Sequence, residues 1–172
     1  MNSKNTIRTI ATIKEDIDKL LSTKNIEHYS VVYAMTMLEL QLKKIIIYNY
    51  RCSGLSAKFI RHHLISKKTF SQLCEEFEWC EPNGLKLKSF QLKYNNKKVD
   101  INGLSKHRNK VAHGEITSIN NELIENIKLI QFTIETLAIE FKSKYDYDGI
   151  SSLPSKLKKD KIITNKRIIS NS

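Results

Sequence analysis

The segment EHYSVVYAMTMLELQLKKIIIYNYRC, residues 27–52, decides the fold of this chain. Its apolar residues recur at alternating spacings of four and three, in a stripe made of Val31, Met35, Leu38, Leu42 and Ile45. Such a stripe is typical of an amphipathic helix with one face in a hydrophobic core. The pattern predicts a long helix from about Glu27 to Cys52, which crosses the whole domain and ends before Gly54.

Segments on both sides of this helix repeat the same periodicity. A first helix is predicted from about Thr6 to Ser22, a third from Ser56 to about Phe77, and a short one from about Asp100 to His113. A last helix follows, with Ser118 as its predicted cap. Its apolar stripe consists of Leu123, Ile127, Ile130, Ile134, Leu137 and Phe141. Because the connections are short, we predict an all-α fold, a bundle of four to five helices.

The composition is typical of a helical protein with an anionic partner. The 172 residues suffice for one domain, and five glycines and two prolines are too few for a turn-rich β sandwich or barrel. The net charge of +11 points to RNA, DNA or an acidic protein, although a merely solvated basic surface is the alternative. Three cysteines without close pairing suit a reducing compartment, and no apolar run is long enough for a bilayer. We expect a soluble, cytoplasmic protein without membrane contact.

Two basic stretches lie outside the helical periodicity. Residues 85–99 alternate partly at period two, and we expect an extended segment, a short hairpin or a surface loop. From residue 148 onward lysine and arginine far outnumber acids. We therefore divide the chain into a helical bundle, residues 1–147, and a basic tail, residues 148–172. The tail is either a solvated extension or a segment that docks on the bundle, on a partner protein or on RNA.

The segment KHRNKVAHGE, residues 106–115, concentrates polar residues at the end of the predicted short helix. At about 100° per residue, Asn109 and His113 project from the same face, whereas Arg108 and His113 lie about 140° apart. The side chains of Arg108 and His113 can converge on one small group only if the helix frays near Gly114 or if a second copy of the chain shares the site. A two-fold dimer would place an arginine and a histidine from each copy along one cleft.

An arginine and a histidine are suited to cleaving RNA without a metal ion. RNA carries its own nucleophile, the 2′-hydroxyl, so cleavage needs a base, an acid and positive charge at the phosphate. His113 can exchange protons near neutral pH, and Arg108 can grip phosphate oxygens through two parallel donors. Asn109 can hold the phosphate or orient His113. The alternative stays open that Arg108 pairs with an acid on a neighbouring helix and that His113 only caps its helix.

The segment RNKVAHG, residues 108–114, resembles the R-N-x-x-x-H motif of the HEPN superfamily (higher eukaryotes and prokaryotes nucleotide-binding domains). There the motif lies towards the end of a four- or five-helix bundle and precedes another long helix, an arrangement similar to residues 6–145. The resemblance implies a metal-independent endoribonuclease that acts as a homodimer, with Arg108, Asn109 and His113 lining the cleft. It also implies a toxin or effector of a bacterial toxin–antitoxin, abortive-infection or other antiviral defence system, held in check by an antitoxin or another partner protein.

Three further residues complete the predicted site. Glu39 resembles the polar helix residue that some members of the superfamily place near the cleft, with a solvent-facing position as the alternative. We also assign His107 and Lys110 to the cleft. We expect no metal ion or cofactor, because the sequence has no paired Cys motif and no phosphate-binding Gly loop. Some superfamily members lack activity, so the alternative function is a non-catalytic module that binds nucleic acid or a partner protein.

Overall fold

The structure is a computed structural model and describes residues 9–80, 87, 101–115, 118–155 and 157, with only the backbone for residues 101–104. Within these residues the chain forms six helices and no β-strand, so the predicted all-α fold is confirmed for the described part. The helices are α1 (Ile10–Ser22), α2 (Tyr29–Cys52), α3 (Ala57–Phe59, continued by a π-helical turn, Ile60–Ile65), α4 (Phe70–Cys80), α5 (Ile101–Ala112) and α6 (Asn121–Tyr145).

Helix α2 lies at the centre of the bundle, and α1, α4, α5 and α6 all pack against it. Every residue of its predicted stripe is buried, with exposures between 0% and 2%. Gln41 Nε2 donates a hydrogen bond to Ile134 O at 3.0 Å, and Tyr48 Oη donates one to Tyr145 O at 3.2 Å. Because later residues of α2 contact later residues of α6, these two helices run in the same direction.

Helix α6 buries its predicted stripe but begins two residues later than its predicted cap implies. The six apolar residues of the stripe are all buried. The cap is Asn120, whose Oδ1 accepts a hydrogen bond from Leu123 N at 2.9 Å, and the prediction of Ser118 was wrong. Asparagine and serine cap helices about equally well. The distance from the first buried residue, Leu123, therefore decides which of the two is used.

The predicted third helix is interrupted, which corrects a prediction of one helix from Ser56 to Phe77. The π-helical turn Ile60–Ile65 ends with a hydrogen bond from Ser66 N to Arg61 O at 3.0 Å, and a polar turn follows. Helix α4 then starts anew after Thr69. Thr69 Oγ1 accepts a hydrogen bond from Gln72 N at 3.4 Å, and Gln72 Oε1 accepts one from Thr69 N at 2.9 Å. This reciprocal capping box competes with helix continuation through the same residues.

Helices α1 and α5 agree more closely with the predictions. Thr9 is extended and caps α1 by accepting from Thr12 N at 3.2 Å, so the helix begins at Ile10 rather than at about Thr6. Helix α5 ends at Ala112 before Gly114, which adopts a φ of +76°. Of the predicted stretch 85–99, the described residues include only Leu87, which is helical and buried.

After α6 the chain turns back and runs along α2 as a return segment, residues 147–155. Arg51 Nη1 donates to Pro154 O at 2.6 Å, and Lys44 Nζ donates to Ser151 O at 3.1 Å. Gly149, with a φ of +72°, lies so close to α2 that a Cβ there would be 2.7 Å from Ile45 Cγ1. The first residues of the predicted tail thus pack on the bundle. The tail beyond Leu157 lies outside the described residues.

Candidate functional site

Arg108 lies on α5 and reaches across to α2, where its Nη1 donates to Glu39 Oε2 at 2.9 Å. The other oxygen of this carboxylate accepts from Lys43 Nζ at 2.6 Å, one helical turn further along α2. The side chains of Glu39 and Arg108 are 22% and 23% exposed, so water reaches both. We call these three residues the Glu39 cluster. It contains two positive charges and one negative charge.

Asn109 fixes the other side of the guanidinium. Its Oδ1 accepts from Arg108 Nε at 3.3 Å and from Nη2 at 3.2 Å. A guanidinium has five N–H donors, and three of them make the contacts described here. Among the described residues, Asn109 therefore contacts Arg108 with its side chain and not His113. The role suggested by this geometry is to hold Arg108, and not to orient the histidine.

His113 is the first residue after α5, and its side chain is exposed. Its backbone N–H donates to Asn109 O at 3.0 Å, and Gly114 then ends the helical path. The contacts of the described residues do not bring Arg108 and His113 together within one chain. The separation expected from helix geometry is therefore retained, and a joint site would need a second copy of the chain.

His107 and Lys110 occupy different surroundings. The side chain of His107 is half-buried one helical turn before the buried Val111, and its Nε2 is buried without a hydrogen-bond partner among the described groups. Burial lowers the pKa of His107 below its ordinary value, and the charge of Lys110 adds to this effect. Lys110 is exposed. His107 is consequently neutral at physiological pH.

The structure brings Glu39, Arg108 and Asn109 together, and it adds Lys43. The sequence reasoning missed Lys43, although a Glu–Lys pair four residues apart on a helix is a recognised signal for an ion pair. No group of three or more His, Cys, Asp or Glu side chains placed to hold a metal ion occurs in the described part of the chain. None of the helices among these residues is both long and apolar enough for a membrane span.

Comparisons of this chain with protein-family profiles, with curated proteins and with solved structures found no match.

Proposed function

We propose that this chain is a metal-independent endoribonuclease with a HEPN-like site, acting as the toxin or effector of a bacterial toxin–antitoxin or antiviral defence system. One observation carries the proposal. The Arg108 guanidinium is held by Glu39 and Asn109 in a partly exposed position, while an exposed histidine, His113, follows at the end of the same helix. A positioned cation and an accessible imidazole are the two groups that phosphate cleavage without a metal requires.

The proposed reaction is transesterification by the RNA itself. A His113 imidazole accepts the proton of the 2′-hydroxyl, and the 2′-oxygen forms a bond to the adjacent phosphorus. The bond from phosphorus to the 5′-oxygen breaks, and a second His113, from a partner copy, gives its proton to that oxygen. The products are a 2′,3′-cyclic phosphate and a free 5′-hydroxyl. Arg108 stabilises the negative charge of the phosphorane through the N–H donors that Glu39 and Asn109 leave open.

Dimerisation is part of the proposal, because each chain supplies only one histidine in the motif and its Arg108 points elsewhere. A homodimer with two-fold symmetry brings both motifs to one cleft. The specific activity per chain should then fall on dilution below the dissociation constant of the dimer. Activity that is independent of protein concentration over a thousand-fold dilution series, in a sample shown to be monomeric by sedimentation, would contradict the shared cleft.

A non-catalytic binding module is the second candidate, and one contact favours it. The Glu39–Arg108 ion pair already satisfies the arginine charge within one chain, as a purely structural link between α2 and α5 would. In that case the basic surface would bind nucleic acid or a partner protein, and replacing His113 would leave function unchanged.

The test is cleavage of end-labelled single-stranded RNA by the purified chain in EDTA. We expect cyclic-phosphate products, and a rate about 100- to 10,000-fold lower for His113→Ala, as expected for a lost proton-transfer group. His62→Ala is the matched control, because His62 is also exposed but lies on the π-helical turn. It should retain the wild-type rate. Cleavage that survives in His113→Ala, or that appears only with added magnesium, would refute the proposed function.

A further inference from the structure

A cleft of about 630 Å³ opens on α2 beside the Glu39 cluster. It has an aliphatic floor, three cationic side chains and two hydroxyl groups. The described residues that line it are Leu40, Lys43, Lys44, Ile47, Arg61, Ile65, Ser66, Ser152 and Leu153. No sequence motif pointed to this cleft, because its walls come from three separate parts of the chain.

Two local features build the walls. The π-helical turn Ile60–Ile65 closes with the hydrogen bond from Ser66 N to Arg61 O at 3.0 Å, so both ends of the widened turn border the cleft. Such turns are rare and occur frequently at functional sites. On the opposite side, Asp148 Oδ1 accepts from Ile150 N at 2.9 Å and from Ser151 N at 2.8 Å. This turn holds the return segment in place where Ser152 enters the cleft wall.

The charge of the cleft selects an anion. Among the described residues that line it there are three cations and no carboxylate. Lys44 is anchored by the carbonyl oxygens of Ile150 and Ser151, whereas Arg61 is exposed on the π-helical turn. Lys43 lines the cleft and also contacts Glu39, which in turn holds Arg108. The cleft and the Glu39 cluster therefore share one lysine, Lys43.

The size and lining fit a nucleotide better than a protein segment. Pockets of about 300–1,000 Å³ hold small ligands, whereas a partner helix needs a long groove. A base can lie on the aliphatic floor and stack on the Arg61 guanidinium, because arginine planes stack on unpaired bases. Ser152 supplies a hydroxyl group that can donate to and accept from base edges, whereas Ser66 Oγ donates to His62 O at 2.8 Å and can accept from them. Leu40 is 40% exposed at the rim, an apolar surface that a bound base would cover.

We infer that this cleft is a subsite for the unpaired nucleotide next to the phosphate held by Arg108, and that the substrate is single-stranded RNA. The inference rests on the proposed function for the identity of the neighbouring site. Lys43 and Arg61 contact the backbone phosphates, and the base leaves its stack to enter the cleft. A base-paired nucleotide cannot do so, which excludes duplex RNA from this subsite.

The experiment measures binding separately from cleavage, with the full chain carrying His113→Ala and a fluorescein-labelled single-stranded decaribonucleotide. Ser152→Trp fills the cleft without a change of charge, and Arg61→Glu reverses a charge on its rim. Each should raise the Kd by about tenfold, within the range measured for losing one stacked base. Lys128→Glu, an equal charge change at an exposed position of α6, is the control and should have a smaller effect. Circular dichroism melting curves check that all variants fold.

The outcomes separate the two proposals. If Ser152→Trp and Arg61→Glu bind the decaribonucleotide as tightly as the parent chain, the subsite is refuted. If both weaken binding while the wild-type chain cleaves no RNA in EDTA, the subsite stands and the nuclease function fails. A synthetic amphipathic peptide of leucine and glutamate that binds the parent chain but not Ser152→Trp, with RNA binding unchanged, would assign the cleft to a protein partner and overturn the inference. Duplex RNA should bind the parent chain and Ser152→Trp equally.

Discussion

Two carboxylates connect α2 to a neighbouring helix, and they differ in the charge that surrounds them. In the Glu39 cluster, Glu39 on α2 binds Arg108 on α5 at 2.9 Å. In what we call the Glu76 cluster, Glu76 on α4 binds Lys68 at 2.9 Å and accepts a hydrogen bond from Tyr50 Oη on α2. The two ion pairs have the same length, and both carboxylates are mostly buried, with 22% and 16% exposure.

The difference lies in the charge that remains after pairing. Glu39 faces two cations, Arg108 and Lys43, so the Glu39 cluster keeps a positive excess beside the basic cleft. Among the described residues, the Glu76 carboxylate has one cation as an ion-pair partner, Lys68, and its other contact is the hydroxyl of Tyr50. Burial raises the pKa of Tyr50, and the hydrogen bond to Glu76 raises it further, so this phenol stays neutral. A salt bridge alone therefore does not identify a phosphate site, and the second cation on the Glu39 carboxylate is the feature that distinguishes the two clusters.

The largest difference should come from removing the cations. Arg108→Ala is expected to lower the rate of RNA cleavage by about 100- to 1,000-fold, the usual cost of losing one preorganised donor to a charged transition state. Arg108→Lys should recover only part of the rate, because lysine cannot form two parallel contacts. Single-turnover rates in EDTA measure both.

Lys68→Ala is the matched control for Arg108→Ala, since it removes a cation from an ion pair of equal length. It should leave the cleavage rate unchanged within experimental error. Equal losses in the two variants would mean that both ion pairs act only through stability, and the distinction between the clusters would disappear.

For the free energy of unfolding, we expect the larger effect from the Glu76 cluster and the smaller one from the Glu39 cluster. Glu76→Ala leaves the hydroxyl of the buried Tyr50 without its acceptor, which costs about 1–3 kcal/mol. Glu39→Ala leaves two cations that water can reach, so the cost should stay below about 1 kcal/mol. The free energy of unfolding in urea, measured for both variants at the same pH and salt concentration, compares them. A larger loss in Glu39→Ala would identify its cluster as the main structural link of α2.

The sequence predicted the main helices for one reason, the repetition of apolar residues. The stripes of α2 and α6 are buried because a period of about 3.6 residues leaves few alternatives for where such faces can pack. Capping residues, which act over only a few positions, did not fix the ends of the helices from sequence alone. Ser118 and Asn120 are equivalent caps by chemistry, and the capping box of Thr69 and Gln72 interrupts a helix that the apolar pattern alone had extended.

The sequence left the contacts of the candidate site residues open. Arg108 pairs with an acid on a neighbouring helix, as the alternative to a catalytic role had suggested. That acid is Glu39, which the sequence analysis had assigned to the cleft. The basic cleft was not predictable, because it joins α2, the π-helical turn and the return segment, parts of the chain far apart in sequence. Its walls depend on the tertiary fold, which no local pattern encodes.

A smaller effect is expected from neutralising the Glu39 carboxylate without changing its shape. Glu39→Gln removes a negative charge that competes with the RNA phosphate for Arg108. At about 4 Å in water one such charge amounts to roughly 1 kcal/mol, or about fivefold. KM should therefore fall by up to that factor, while kcat also falls because Arg108 loses its positioning partner. Steady-state kinetics on a labelled oligoribonucleotide give both constants.

Glu76→Gln provides the comparison for this kinetic effect, because it removes the same charge from the Glu76 cluster. Neither KM nor kcat should change in that variant. A fall in kcat without any fall in KM for Glu39→Gln would show that Glu39 does not compete with RNA, and the carboxylate would then act only as a support for Arg108.

The smallest expected effect concerns pH and the half-buried histidine beside the Glu39 cluster. Burial lowers the pKa of His107 in the folded chain below its ordinary value of 6.5. At a pH between the folded-state pKa and 6.5, His107 therefore binds a proton in the unfolded chain but not in the folded chain. The stability that this shift contributes is present above pH 6.5 and is lost as the pH falls through the folded-state pKa. The free energy of unfolding of His107→Gln should therefore fall less steeply than that of the wild type as the pH is lowered. Urea unfolding between pH 7.5 and pH 5 measures this slope. Identical slopes in wild type and His107→Gln would mean that His107 takes up its proton without cost and would contradict this prediction.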